Sequence, residues 1–271
     1  MNSHKSTDSI RAYQVNNSKF SFRTLEVLLL VSLLASLAKI PYTSALLYQK
    51  TSVPPIHSIL INILFSFVLI TIPLTTVGLW LGPKVGLGTP ELEAMLTKVP
   101  KSYRRLQFSI LPATILGIVC GIFINVVSIL SQPFLPSELI KTELPGFFPA
   151  LLGSFGAAIN EEIWLRLGIM TCLVWLGSKL TRQQKPGKTL VWSANLLAAL
   201  GFASLHLPQA AILAKGLSLF ILIFVLLLNG FVGVVFGWLY WRSGLLAAMI
   251  AHFGTGVIIH VVPTLFITGI K

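Results

Sequence analysis

Residues 147–177 read FFPALLGSFGAAINEEIWLRLGIMTCLVWLG. The run is long enough for a helix to cross about 30 Å of hydrocarbon, which takes about 20 residues. Yet Glu161, Glu162 and Arg166 stand at its centre, the only charges between Gly146 and Ser178. On insertion scales one charge at the bilayer centre costs about 2.5–3.5 kcal/mol, so three unpaired ones would cost about 8–10 kcal/mol. They must therefore be paired or reached by water. Helical spacing puts Glu162 and Arg166 four residues apart on one face, where carboxylate and guanidinium can meet, and turns Glu161 about a third of a revolution away. One carboxylate is then neutralised and the other left free.

Working outward, six more apolar runs occur, at roughly residues 25–48, 57–81, 107–131, 190–207, 217–241 and 245–268. The chain has 271 residues, of which 55% are hydrophobic and only 10% charged, with mean hydropathy +0.85, where a soluble domain is about a quarter charged. The expected fold is all-α, a polytopic bundle of seven transmembrane helices, or eight if the fourth run begins as a re-entrant piece broken at Pro149. Twenty Lys and Arg against eight acids give a net charge of +12. These cations are scattered between apolar runs instead of forming a patch, which argues against nucleic acid and for the lipid bilayer as partner. Cys120 and Cys172 each lie inside an apolar stretch, so neither a disulfide framework nor a cysteine metal knuckle is available. Asp8 is the only aspartate and lies in the polar tail, which excludes an intramembrane aspartate dyad.

Residues 1–24 are polar, show no cleavage site after a short apolar region, and read as a cytosolic tail. With that end inside, the cytosolic loops hold Lys5, Arg11, Lys19, Arg23, Lys84, Lys98, Lys101, Arg104, Arg105, Lys179, Arg182, Lys185, Lys188 and Arg242. The other side holds Lys50, Lys141, Lys215 and Lys271, and only Lys39 and Arg166 fall within the runs. This asymmetry follows the positive-inside rule for seven spans. The expected divisions are the tail 1–24, three helices over 25–146 with a proline-rich cytosolic connector at 82–105 that has room for a short interfacial helix, and a core over 147–268.

Histidine supplies the second polar element. His4 is in the tail, His57 opens the second run, His206 closes the fifth, and His252 and His260 lie in the last, eight residues apart. A lone histidine on an apolar helix is more often a packed, hydrogen-bonded side chain than a catalyst. Beside an unpaired intramembrane carboxylate, imidazole can instead help deprotonate water and bind an oxyanion.

Three segments, in order, carry a recognisable pattern: Glu161-Glu162-Ile-Trp-Leu-Arg166, Phe202-Ala-Ser-Leu-His206, and His252 following Ser243-Gly-Leu-Leu-Ala-Ala-Met-Ile-Ala. Together they resemble the motifs of the CAAX protease and bacteriocin-processing family, and are similar to those of type II CAAX prenyl endopeptidases. The likeness covers about residues 147–268; the first three runs carry no motif. It implies an all-helical intramembrane endopeptidase acting on a peptide or a prenylated protein. In that reading Glu161 is the general base, His206 its partner in activating water, His252 an oxyanion stabiliser, and Glu162 and Arg166 their support. One departure stands out: four residues after His252 comes Gly256, where the family carries Asn or Asp. Restoring an amide there is expected to strengthen the hold on an oxyanion.

Other classes are carried alongside. Glu161, His206 and His252 could in principle hold a divalent metal such as zinc, but there is no His-Glu-x-x-His pattern, and the lack of a nearby thiolate or aspartate favours a site without a cofactor. No Gly-x-Ser-x-Gly elbow is present, and Ser243-Gly244 reads as the N-cap of the last helix. A non-catalytic scaffold or immunity-type protein would keep the charges for packing alone. An ion-coupled transporter would use Glu161 and Glu162, but no repeated halves are visible. The chain's modest length suits a bacterial plasma membrane or a plastid-related one.

Overall fold

The computed structural model describes residues 20–48, 56–97, 102–140 and 143–267. Residues 1–19 of the tail, and Lys50, Lys98, Lys101, Lys141 and Lys271 of the orientation count, lie outside them. Among the described residues every regular element is helical. Seven helices are long and apolar enough to cross a membrane: Phe22–Leu46, Ile56–Val85, Gln107–Phe134, Phe147–Leu180, Lys188–Leu213, Leu219–Ser243 and Leu245–Phe266. The chain is an integral membrane protein.

The fourth span is the hub. It packs against the first, second, fifth, sixth and seventh, and 50% of its apolar window is buried inside the protein, against 11% for the second span. A helix buried on so many sides can carry charges that lipid would reject. The lipid-facing residues are large and apolar, for example Leu30, Leu111, Leu196 and Leu227. Because lipid tails are as apolar as leucine, close contact between spans depends on small residues. Three Gly-x-x-x-Gly pairs supply them: Gly78 and Gly82 on the second span, Gly117 and Gly121 on the third, and Gly233 and Gly237 on the sixth. Gly117 meets the backbone of Ala251, Gly233 meets Ala199 and Phe202, and Gly78 meets Leu167, so each pair presses its span onto a neighbour.

Three stretches widen to π-helix: Phe67–Thr71, Ile163–Met170 and Val257–Val261. The first and last end two residues before Pro73 and Pro263. A proline lacks the N–H that the preceding turn needs, and widening that turn absorbs the defect. The middle stretch has no proline; it begins directly after Glu162, where π-bulges commonly mark a functional site.

Three sequence expectations are corrected. Pro149 does not break the fourth span: it sits in the first turn of the helix Phe147–Glu162, where a missing N–H costs nothing. The fifth span does not end near residue 207, because Pro208 opens a further helix, Leu207–Leu213, after a bend at His206. Ser243 does not cap the last span. It ends the sixth, and Gly244 makes the turn at φ 86°, without a side-chain cap, in a backbone region that favours glycine. The expected short helix of the connector is present at Pro90–Leu96.

Candidate active site

The two glutamates end the helix Phe147–Glu162. Glu162 and Arg166 are fully buried, and Arg166 Nε lies 3.2 Å from Glu162 Oε2. The guanidinium also donates to the Gly233 carbonyl at 2.7 Å and lies over the Phe202 ring, 4.7 Å from its centroid. A delocalised, weakly hydrated cation stacked on an aromatic face suits such a dry position. The other oxygen of Glu162 meets His252 Nδ1 at 2.9 Å. Glu162 thus bridges Arg166 and His252, and so does more than form the pair read from spacing.

Glu161 points the other way, into a cavity of about 620 Å³ lined by Lys39, Tyr42, His206, His252 and His260 among others. Its Oε2 lies 4.0 Å from His206 Nε2 and 4.0 Å from His252 Nε2. The Nδ1 partners decide the tautomers. His206 Nδ1 is 2.9 Å from the Phe202 carbonyl, which can only accept, so Nδ1 carries the proton. His252 Nδ1 faces the Glu162 carboxylate, which requires the same of it. Both Nε2 atoms are therefore turned towards one carboxylate oxygen. His206 owes its place to the bend after Leu205, which ends one helix and starts the next across it.

The remaining carboxylate is not free, contrary to the reading from spacing. Lys39 Nζ lies 3.4 Å from Glu161 Oε1. Lys39 comes from the first span, 122 residues away, so no local spacing could reveal it; its signal was that it is the one other Lys or Arg inside an apolar run. Glu161 with Lys39 and Glu162 with Arg166 thus set two carboxylates against two cations.

Three more residues escaped the sequence reading. Asn160 is buried, accepts a short hydrogen bond from Ser32 Oγ and donates to Ser36 Oγ at 3.0 Å, fixing the first span against the fourth. Tyr42 Oη lies 3.2 Å from His260 Nδ1, which places His260 in the same cavity as His252. Ser154 stands beside Gly256: a Cβ added at Gly256 would lie 2.8 Å from Ser154 Cβ and 2.9 Å from its Oγ. The space of the family's Asn or Asp is thus already filled from another helix, and an amide at 256 cannot simply be put back. Thr255 turns away, with Oγ1 2.9 Å from the Gly117 carbonyl.

Among the described residues no group of three His, Cys, Asp or Glu is arranged to hold a metal ion.

Comparison with curated proteins and with solved structures gives no match. A family model does match: residues 143–258 fit the one described as type II CAAX prenyl endopeptidase Rce1-like. That stretch contains Glu161, Glu162, Arg166, His206 and His252, so every motif residue lies in the part of the chain that is similar to the Rce1-like type II CAAX prenyl endopeptidases.

Proposed function

We propose that this protein is an intramembrane endopeptidase that hydrolyses a peptide bond with a water molecule activated by Glu161 and His206. The observation that carries the reading is the convergence of two imidazole Nε2 atoms on a single Glu161 oxygen, 4.0 Å from each, inside a cavity at the centre of a membrane bundle. At 4.0 Å the groups are beyond direct hydrogen-bond range, while a water about 2.8 Å from each fits between them.

The steps balance as follows. A water held by Glu161 and His206 passes one proton to the Glu161 carboxylate as its oxygen attacks the substrate carbonyl. The oxyanion that forms needs a donor. His252, its Nδ1–H committed to Glu162, donates through Nε2 only as the imidazolium, for which the Glu162 carboxylate is the partner. The C–N bond then breaks and Glu161 returns its proton to the leaving amine. Arg166 and Phe202 hold Glu162 and His206 in place.

In this reading residues 147–268 form the catalytic core, with residues 25–146 as supporting spans and 82–105 as a connector on the cytosolic side, which also receives the N-terminus. The protein would act in a bacterial plasma membrane or a plastid-related one, on a peptide or prenylated-protein substrate reaching it through the bilayer. The test is Glu161→Gln in purified, detergent-solubilised protein, assayed on a panel of prenylated and unmodified peptides. The expected result is folded protein with turnover reduced at least about a hundredfold, the low end for general-base catalysis. Turnover that survives the substitution removes Glu161 from the chemistry. Folded wild-type protein that cleaves nothing in the panel favours the scaffold reading.

A further inference from the structure

The first span carries none of the recognised motifs, yet it brings a cation to the carboxylate at the centre of the site. Lys39 is the only lysine or arginine among the described residues lining the cavity. A lysine in the outer part of a span would ordinarily extend along the helix to the head groups. Here its side chain instead reaches Glu161 Oε1, 3.4 Å away, and three features of the sequence hold it there.

The first is a seat. A Cβ on Gly156 would collide with the Lys39 side chain and come within 2.5 Å of the Ala35 carbonyl oxygen, and one on Gly153 would meet the Tyr42 ring at 2.5 Å. These two glycines, three residues apart, lie on the helix that ends in Glu162 and form the groove in which Lys39 and Tyr42 rest. The second is a break in the first span. Lys39 separates the helices Phe22–Ala38 and Ile40–Tyr48 and caps the first of them, with Pro41 unable to continue its hydrogen-bond ladder. The third is the Ser32–Asn160–Ser36 set of hydrogen bonds, which fixes the register of the two spans.

We propose that Lys39 is a positioning residue for Glu161: its ammonium holds Oε1, leaving Oε2 to face the Nε2 atoms of His206 and His252. The proposal rests on the reading of Glu161 as the base. It places a functional side chain in a part of the fold outside the matched family segment, residues 143–258.

The experiment compares Lys39→Met, Lys39→Gln and Lys39→Arg, each quantified as folded protein by size-exclusion chromatography, with kcat and KM measured on a peptide that the wild type cleaves. Lys39→Met is expected to lower kcat by about tenfold or more while KM stays within about threefold, since an orienting contact acts on the chemical step more than on binding. Lys39→Arg, which restores a cation within reach of Glu161, is expected to recover most of that loss. Lys39→Gln, which keeps a polar tip, takes the place of Lys39→Met if the latter does not fold, and is expected to lose kcat likewise. A structural role alone would lower folded yield and leave kcat per folded molecule within about twofold of wild type, which overturns the proposal; so does Lys39→Arg no better than Lys39→Met. Glu161→Gln runs in parallel. If it is inactive while Lys39→Met is fully active, only the role of Lys39 falls; if it is active, or if the wild type cleaves nothing, the reading of Glu161 falls and this proposal with it.

Discussion

Ser154 and Gly256 face each other across the fourth and seventh spans, and the serine fills the space that any side chain at 256 would need. Ser154 Oγ donates to the Ala150 carbonyl one turn back at 2.8 Å, so the residue is anchored and cannot swing aside without losing that bond. Gly256→Asn alone is therefore expected to lower the apparent Tm and any peptidase rate, since overpacking a filled core costs about 1–3 kcal/mol. The paired change Ser154→Gly with Gly256→Asn should recover stability relative to the single variant. Thermal melts of the two single variants and the double variant measure this coupling, and additive losses would show that the two residues do not share one space.

Arg166→Ala is expected to destabilise by about 3–5 kcal/mol, the range for stranding one member of a buried pair. Because Glu162 also holds His252, the variant should disturb the imidazole as well. Glu162→Gln combined with Arg166→Met removes both charges and should melt closer to wild type than Arg166→Ala does. The comparison needs only folded yield and melting temperature, and a folded Arg166→Ala with unchanged melting counts against the pairing.

His206→Ala and Glu161→Gln are expected to be non-additive. Residues acting on one water lose most of the effect together, so the double variant should be slower than the worse single variant by less than about threefold. Single-turnover rates on a cleaved peptide test this. Rate losses that multiply would mean that the two side chains act on separate steps.

Glu93 offers a pH-dependent effect outside the spans. In the connector helix Pro90–Leu96 burial pushes its carboxyl up, only partly offset by the hydrogen bond from Thr89 Oγ1. An acid whose pKa is raised by folding holds its proton more tightly in the native state, so its ionisation erodes stability as pH rises through the folded value. Glu93→Gln should consequently raise the apparent Tm at pH 8, and the advantage should shrink as pH falls to 4. A Tm difference independent of pH would show that this carboxyl titrates alike folded and unfolded.

The sequence revealed what lies along one helix and missed what depends on how helices meet. Glu162 and Arg166 could be paired from spacing because both ride on the fourth span. The seven spans were visible as apolar runs, and only the fifth was cut short, at a proline that starts a helix instead of stopping one. Lys39 was visible as a charge inside a run, but its partner depends on Gly153 and Gly156 admitting the first span to close range. The replacement of the family side chain at 256 was hidden for the same reason, since Ser154 approaches it from another helix.

The ion pair between Lys39 and Glu161 also sets a timetable for biosynthesis. Its two members are 122 residues apart, and chains are made at about 5–20 residues per second, so the lysine emerges about 6–24 s before the glutamate. During that interval the first span has no carboxylate from the fourth to settle its charge, and an isolated cation in hydrocarbon is costly. Until the fourth span arrives, the Lys39 side chain is expected to extend along its own helix to the head groups, and only then does it turn inward to Glu161.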